Sequence, residues 1–203
     1  MLRAMRIFGT TTSPFVRRVR IVAEELGYPV EMVDTNTPDG QAELRRLSPI
    51  WKVPAALIGD RVVYDSRAII DLMFEGRGVH PLRRITAATR ITELNFLNTV
   101  DEGLASAIRL FYVRRDGHDA SPIPYLAKEQ DRVRSTMSWA EAQVSGAYCT
   151  EEEGFGISEI ALISAIGWMR FRQAYPVDDH PKLIAFYKAW EGRASVAHTA
   201  PVP

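Results

Sequence analysis

The residue with the clearest chemical potential in this sequence is a serine directly before a proline, Ser13-Pro14. Apolar residues recur at helical spacing after it, so the serine takes the N-cap and the proline the first position of a helix. The first turn holds no Asp or Glu, although its unpaired N–H groups and the helix dipole favour negative charge. The pattern predicts a helix end that could bind a phosphate, a carboxylate or a thiolate. The alternative is a plain cap, with Arg17 and Arg18 on a solvated face.

Two further segments carry residues that could act together with this helix end, and the strands and helices around them must bring them close to it. Val53-Pro54 precedes a strand candidate, and Asp65-Ser66 opens a helix candidate. Strands are predicted at 6–8, 30–34, 55–58 and 61–64, and helices at 14–26, 41–47 and 67–74. The order βαβαββα is that of one α/β domain.

The rest of the chain is predicted to be helical. Residues 79–85 contain a proline and no periodicity, and no strand pattern follows them. Helices are predicted at 86–114, 125–144, 157–171 and from 181 to about 192. The third of these is apolar on nearly every side, which is typical of a buried helix. Asp101 interrupts the apolar stripe of the first, so it faces either a site, a partner subunit or a basic neighbour in the core.

Composition excludes several classes of function. The 203 residues include 25 basic and 25 acidic side chains, which favours neither nucleic acid nor an anionic membrane as a partner. No apolar run reaches the ~20 residues of a membrane helix, and no secretory signal is recognisable, so a cytoplasmic protein is expected. Cys149 is the single cysteine, and the four histidines show no ligand spacing. An internal disulfide is therefore excluded, and no metal site is expected.

The motifs together resemble those of the cytosolic glutathione transferases. SPFVRRVRI, KVPAAL and DSRAII are similar to signatures of that family's thioredoxin-like half, and FGISEIALISAIGWMRF and RASVAHTAP to signatures of its helical half. The resemblance implies an α/β thioredoxin-like N-terminal domain at 1–79, a linker at 80–85 and an all-α helical C-terminal domain at 86–203. It also implies a homodimer.

The resemblance assigns roles to the three sites. Ser13 would donate a hydrogen bond to the glutathione sulfur and stabilise its thiolate, with glutathione as co-substrate and no metal. The bond before Pro54 would be cis, and Val53 would pair with the cysteinyl unit of the tripeptide. Asp65 and Ser66 would hold the γ-glutamyl ammonium and carboxylate, which suits their chemistry, and Lys52 would meet the glycyl carboxylate.

The second substrate is expected to be a hydrophobic electrophile bound between the two halves. Thr12, Phe111, Tyr112 and Trp168 are the candidates for its pocket, although aromatic residues at helical spacing are also typical of plain core. Glutathione conjugation is the predicted activity. Glutathione-dependent isomerisation, dehalogenation and peroxide reduction start from the same thiolate and stay open, as does a non-catalytic protein-binding module of the same fold. An isomerase acting on a dianion would need cations, for which Arg109, Arg114 and Arg172 are candidates.

Overall fold

The computed structural model describes residues 4–120, 122–150 and 152–202. By their internal contacts these residues form two compact units, one made of residues up to Pro81 together with those from Arg193 onward, the other of Leu82–Gly192. The elements in chain order are β1 (Met5–Gly9), α1 (Pro14–Leu26), β2 (Val30–Asp34), α2 (Pro38–Leu47), β3 (Ala55–Ile58), β4 (Arg61–Tyr64), α3 (Ser66–Arg77), α4 (Arg90–Arg115), α5 (Pro124–Gln143), α6 (Ile157–Arg172), a 3-10 turn (Val177–Asp179), α7 (Pro181–Glu191) and α8 (Ala194–His198).

The first unit is built on a mixed sheet with strand order β2-β1-β3-β4. β1 runs parallel to β2 and antiparallel to β3, and β3 and β4 form an antiparallel hairpin. Phe8, Leu44 and Ala55 are fully or almost fully buried in one cluster on this sheet. The helix α1 contributes a second buried face through Val19, Val22 and other apolar side chains. This is the α/β arrangement that the sequence predicts.

The second unit is helical, and α6 is its most buried element. Every residue from 157 to 169 is buried, as the all-round apolar sequence predicts. At its N-terminus Glu159 Oε2 accepts the Gly156 N–H at 2.9 Å, which forms the glutamate half of a capping box. Arg83 lies between the buried carboxylates of Glu93 and Glu159 and binds both. Because its side chain is almost fully buried, Arg83 belongs to the core of this unit, although the sequence predicted it to be part of a linker.

Three helix boundaries differ from prediction by three or more residues, each for a local reason. α2 begins at Pro38 because Thr37 caps it, with Thr37 Oγ1 accepting the Gly40 N–H at 3.1 Å. α3 continues past Phe74 to Arg77, so Gly76 lies inside the helix, where a Cβ would come 2.5 Å from the Tyr28 hydroxyl. α4 begins at Arg90 because residues 86–89 form a turn closed by the paired side chains of two threonines.

The C-terminal residues group with the first unit, whereas the sequence placed them in the helical domain. Arg193 donates to both carboxylate oxygens of Glu25 in α1 at 2.7 Å, and Ser195 donates to the same carboxylate. Arg17 Nη2 donates to the Val196 carbonyl at 3.1 Å. α8, which the sequence did not predict, is therefore fastened to α1 by charged hydrogen bonds.

Candidate functional site

The sheet register brings the three predicted sites to one end of the sheet. Phe8 near the end of β1 lies opposite Ala55 at the start of β3, and Ala55 lies opposite Tyr64 at the end of β4. Neighbouring strands are about 4.8 Å apart. Three segments therefore leave the sheet at the same end. They are the loop from β1 to Ser13, the Val53-Pro54 segment before β3 and the Asp65-Ser66 pair after β4.

Ser13 is the N-cap of α1, as predicted, and its hydroxyl has a defined hydrogen-bonding role. Its Oγ accepts the Val16 N–H at 3.3 Å, and its carbonyl accepts the Arg17 N–H at 2.9 Å. Since an N–H already occupies a lone pair of Oγ, the hydroxyl proton is left to donate elsewhere. Pro14 has no N–H, and the Phe15 N–H has no acceptor among the described residues. The start of α1 thus presents an O–H and an N–H, with no acidic side chain in its first turn.

The Val53–Pro54 peptide bond is cis, as the family resemblance implied. Pro54 is buried and Val53 is half-buried. Lys52 is exposed just before it. Trp51 was not predicted to matter, but it is 58% exposed and has a φ of 51°. The guanidinium carbon of Arg45 lies 4.9 Å from the centre of the Trp51 ring. A bulky residue with positive φ in such a segment is a signal that only the structure reveals.

Asp65 is the N-cap of α3. Its Oδ1 accepts the N–H groups of Arg67 at 2.8 Å and Ala68 at 3.4 Å. The carboxylate is nevertheless exposed, which leaves Oδ2 able to meet a cation. Ser66 is 3% exposed, and its N–H has no acceptor among the described residues. Cap and ligand roles are therefore compatible at this pair.

Arg17 and Arg18 contradict the solvated-face alternative, because they are only 2% and 1% exposed. Arg17 reaches α8, and the Arg18 guanidinium lies 4.9 Å from the centre of the Phe15 ring. The burial of Arg17 has a tertiary cause, because α8 packs against α1 at this residue, and no local signal in the helix sequence predicts that contact. Both are permanent cations in the first two turns of the helix that begins at Ser13.

The four residues predicted for the second-substrate pocket fall into two groups. In the first unit, Thr12 Oγ1 lies 3.2 Å from Thr10 Oγ1, and both side chains are half-buried. In the second unit, the Phe111 ring lies 5.6 Å from that of Trp168 and 5.5 Å from that of Tyr112, each edge to face. Trp168 is 5% exposed and Tyr112 is 47% exposed, so the aromatic group runs from core to surface. Asp101 is half-buried on the same helix as Phe111 and has interaction partners of its own.

The three candidate cations differ in their partners. Arg109 binds Glu129 of α5 at 2.6 to 2.8 Å, and Arg114 donates to the Ala174 carbonyl at 2.7 Å. Arg172 alone of the three lies on the aromatic group, with its guanidinium 5.5 Å from the centre of the Phe111 ring.

The remaining features considered from the sequence are the cysteine, a metal site and a membrane-spanning helix. Burial raises the pKa of the Cys149 thiol well above its usual value, and the nearby Glu159 raises it further. Among the described residues, no three His, Cys, Asp or Glu side chains are placed to hold a metal ion. Nor does any helix in the described ranges combine the length and apolar character needed to cross a bilayer.

Comparison with known proteins gives one consistent family. Residues 7–79 match the family described as glutathione S-transferase, N-terminal domain. The uncharacterized GST-like protein YibF of Escherichia coli K12 is 25% identical over 207 residues, which cover 97% of this chain and 98% of that protein.

Solved structures with the same fold extend over nearly the whole chain. A glutathione S-transferase from Methylobacterium radiotolerans, in complex with glutathione sulfonate, has a TM-score of 0.83 at 22% identity, with 98% of this chain and 96% of that chain covered. A glutathione transferase family member from Pseudomonas fluorescens Pf-5, with bound glutathione, has a TM-score of 0.80 at 26% identity, with 98% and 100% covered. Residues 7–79 thus match the N-terminal domain of the glutathione S-transferase family, and the chain shares the fold of glutathione transferases over nearly its whole length.

Proposed function

We propose that this chain is a glutathione transferase in which Ser13 stabilises the glutathione thiolate for attack on an electrophilic small molecule. The observation that carries the proposal is the Ser13 hydroxyl, which accepts the Val16 N–H and so keeps its own proton for an external acceptor. The bound ligands of the related structures, glutathione and glutathione sulfonate, support the choice of co-substrate.

The available interactions are strong enough for this role. A free thiol has a pKa of ~8.5, and lowering it by two units requires ~2.7 kcal/mol of preferential interaction with the thiolate. One hydrogen bond to a charged acceptor supplies roughly 1.5 to 3 kcal/mol, and a helix N-terminus adds up to about 1 kcal/mol. Thiolate formation therefore needs neither a general base nor a metal.

The rest of the tripeptide fits the other two sites at the same edge of the sheet. The backbone of Val53, held by the cis bond to Pro54, would pair with the cysteinyl unit. The free Ser66 N–H and hydroxyl would bind the γ-glutamyl carboxylate, and the exposed oxygen of Asp65 its ammonium. Lys52, exposed and adjacent, would meet the glycyl carboxylate.

The substitution Ser13→Ala tests the catalytic role against a role in capping alone. We expect the pKa of bound glutathione, followed by ultraviolet difference spectroscopy, to rise by about one to two units, since the hydroxyl donor is lost. Turnover of a generic aryl chloride at neutral pH should fall roughly 10- to 100-fold. Glutathione affinity should stay within a few-fold, because most contacts to the tripeptide remain.

The matched control is Thr37→Ala, which removes the equivalent cap of α2. Both substitutions should cost about 1 kcal/mol of folding stability, but only Ser13→Ala should move the thiol titration. Equal titration in both variants and the wild type would show that Ser13 is only a cap. The non-catalytic alternative, a protein-binding module, predicts no heat and no thermal shift with millimolar glutathione.

A further inference from the structure

Three polar side chains of the second unit form a hydrogen-bonded chain that the proposed function does not use. His180 Nε2 lies 2.8 Å from the Tyr175 hydroxyl, and His180 Nδ1 lies 2.8 Å from Glu141 Oε2. The Tyr175 and His180 rings also stack, with their centres 5.7 Å apart. We call these three residues the Tyr175 triad. Tyr175 follows α6, His180 precedes α7 and Glu141 lies near the end of α5, so three helices of one unit position the triad.

Glu141 orients the imidazole and determines which of its nitrogens carries the proton. Both of its oxygens are engaged, since Oε1 accepts the Lys182 N–H at 3.0 Å. Burial alone would raise the pKa of Glu141, but hydrogen bonds from His180 and from the Lys182 N–H outweigh it and hold the pKa below its usual value. Glu141 is therefore ionised at neutral pH and only accepts hydrogen bonds. The proton of a neutral His180 then lies on Nδ1, which leaves the lone pair of Nε2 to accept the Tyr175 O–H.

The Tyr175 triad has the geometry of an activated nucleophile. Such sites place a hydroxyl within about 2.6 to 3.2 Å of a base, which a third group orients. Burial raises the pKa of the Tyr175 hydroxyl, so the phenolate does not form by itself and a base is needed. A phenol is nevertheless much more acidic than the serine alcohol that an imidazole activates in hydrolases. His180 is only 8% exposed, whereas Tyr175 is half-buried and keeps part of its surface in contact with solvent.

We propose that the Tyr175 triad is a second reactive site, at which Tyr175 accepts the acyl group of an activated ester. The Tyr175 oxygen forms a bond to the carbonyl carbon, and His180 Nε2 takes the phenolic proton. The bond from the carbonyl carbon to the alcohol part of the ester breaks, and that part leaves with the bonding electron pair and receives the proton from His180.

Hydrolysis of the acyl-tyrosine completes the cycle. Water attacks the carbonyl carbon while His180 takes its proton, the bond to the Tyr175 oxygen breaks, and the phenol regains a proton from His180. The products are a carboxylic acid and the unmodified Tyr175. Because a phenolate is a better leaving group than an alkoxide, this second step needs no further catalytic group. The reaction uses neither glutathione nor any residue of the first unit, so it goes beyond the proposed function.

The test follows hydrolysis of 4-nitrophenyl acetate by the full chain without glutathione. In the wild type we expect a burst of about one 4-nitrophenolate per chain, and peptide mass spectrometry after an acid quench should find an acetyl group on Tyr175. Tyr175→Phe keeps the ring and should abolish the burst. His180→Gln can still hydrogen-bond to both neighbours but cannot take a proton, so the burst rate should fall about 100-fold or more.

Tyr187 provides the matched control, both within the wild type and as Tyr187→Phe. It is also a half-buried tyrosine of the second unit, but its ring lies 5.8 Å from the guanidinium of Arg170. Within the wild type, Tyr175 should be acetylated at least about 100-fold faster than Tyr187. Tyr187→Phe should keep the full burst and the acetyl group on Tyr175.

The comparison of the two tyrosines in one chain decides the question even if a variant fails to fold. Equal acetylation of Tyr175 and Tyr187, or acetyl groups on other residues only, would overturn the inference. A folded His180→Gln with an unchanged burst rate would also overturn it, because the triad would then be only a structural contact. None of these outcomes bears on glutathione binding or on Ser13.

Discussion

At the scale of single residues, Ser13 caps a helix and still has a hydroxyl proton to donate. Its oxygen accepts the Val16 N–H, and its proton remains available. A side chain that could only accept would cap α1 equally well but could not donate to a thiolate. Asp65 is similar, since Oδ1 caps α3 while the carboxylate remains exposed.

Replacing Ser13 by cysteine should change the chemistry from thiolate stabilisation to thiol exchange. The start of α1 has no acidic residue in its first turn, and a helix N-terminus with nearby cations lowers the pKa of a cysteine thiol. We therefore expect Ser13→Cys to form a mixed disulfide with glutathione disulfide at neutral pH and to gain thiol-disulfide exchange activity.

The wild type provides a clean background for that measurement. Its single thiol, Cys149, is 4% exposed, and burial raises its pKa, so it should not react with a disulfide reagent in the folded state. Mass spectrometry after treatment should find one glutathione adduct on Ser13→Cys and none on the wild type. An unmodified Ser13→Cys would show that this position does not favour a thiolate.

At the scale of elements, α4 and α5 are joined by a carboxylate that is buried between two arginines. Glu129 of α5 is 1% exposed and binds Arg109 of α4 and Arg132 of its own helix. Burial alone would raise the pKa of Glu129, but hydrogen bonds from Ser106, Arg109 and Arg132 outweigh it and hold the pKa at about 2. Removing the carboxylate would leave two arginines without their shared partner.

This carboxylate makes folding stability depend on pH in the acid range. The pKa of Glu129 is lower in the folded chain, about 2, than the 4.5 of an unperturbed glutamate, so the unfolded state binds the proton more readily. The stabilisation is complete above about pH 4.5 and is lost as the pH falls towards 2. Glu129→Gln should lower the free energy of unfolding by about 1 to 3 kcal/mol at neutral pH. It should also make the urea midpoint change less with pH between these values.

The matched control for this prediction is Asp131→Asn on the same helix. Asp131 pairs with Arg134, but both side chains are about 70% exposed, and such surface pairs contribute little. Urea midpoints measured in steps from pH 7 to pH 2 should therefore follow the wild type for Asp131→Asn and diverge from it for Glu129→Gln. Parallel curves for all three proteins would contradict the role given to Glu129.

Most of the strands and helices could be predicted from the sequence alone. β2, β3 and β4 begin and end where the sequence predicts, because turn residues flank them. α6 and the cap at Ser13 were predicted equally well, since apolar periodicity and capping are local signals. The start of α2 was missed because Pro38 and Gly40 suggest a turn, although Gly40 is needed for close approach to the Asp34 carbonyl.

What the sequence did not predict depends on distant partners. Arg83 looks like a charged linker residue until Glu93 and Glu159 are placed beside it. Arg172 looks like an ordinary helix-end arginine until the rings of Phe111 and Phe171 are seen around it. At the candidate site, the motifs located Ser13, Pro54 and Asp65, and the register then brought them to one edge. The roles of these residues in binding remain predictions.

At the scale of the whole molecule, the chain returns at its C-terminus to the helix that begins the candidate site. Homodimer formation, which the family resemblance implies, stays a prediction that sedimentation of the 22.8 kDa chain can test. The hydrogen bonds between α8 and α1, in contrast, lie within a single chain. Glu25 of α1 is only 10% exposed and receives hydrogen bonds from Arg193 and Ser195, while Arg17 donates to the Val196 carbonyl.

Truncation after Gly192 should therefore destabilise the first unit. Glu25 would lose Arg193 and Ser195, and Arg17 would lose the Val196 carbonyl, so α1 would lose the charged hydrogen bonds that join it to the C-terminal residues, at a cost of roughly 3 to 5 kcal/mol. Because Ser13 begins the same helix, glutathione affinity should weaken together with the denaturation midpoint. A control truncation after Ala200 keeps every contact named here and should behave as the full chain does. An unchanged midpoint after removal of residues 193–203, measured by urea denaturation, would mean that α1 holds its buried charges without the C-terminal residues.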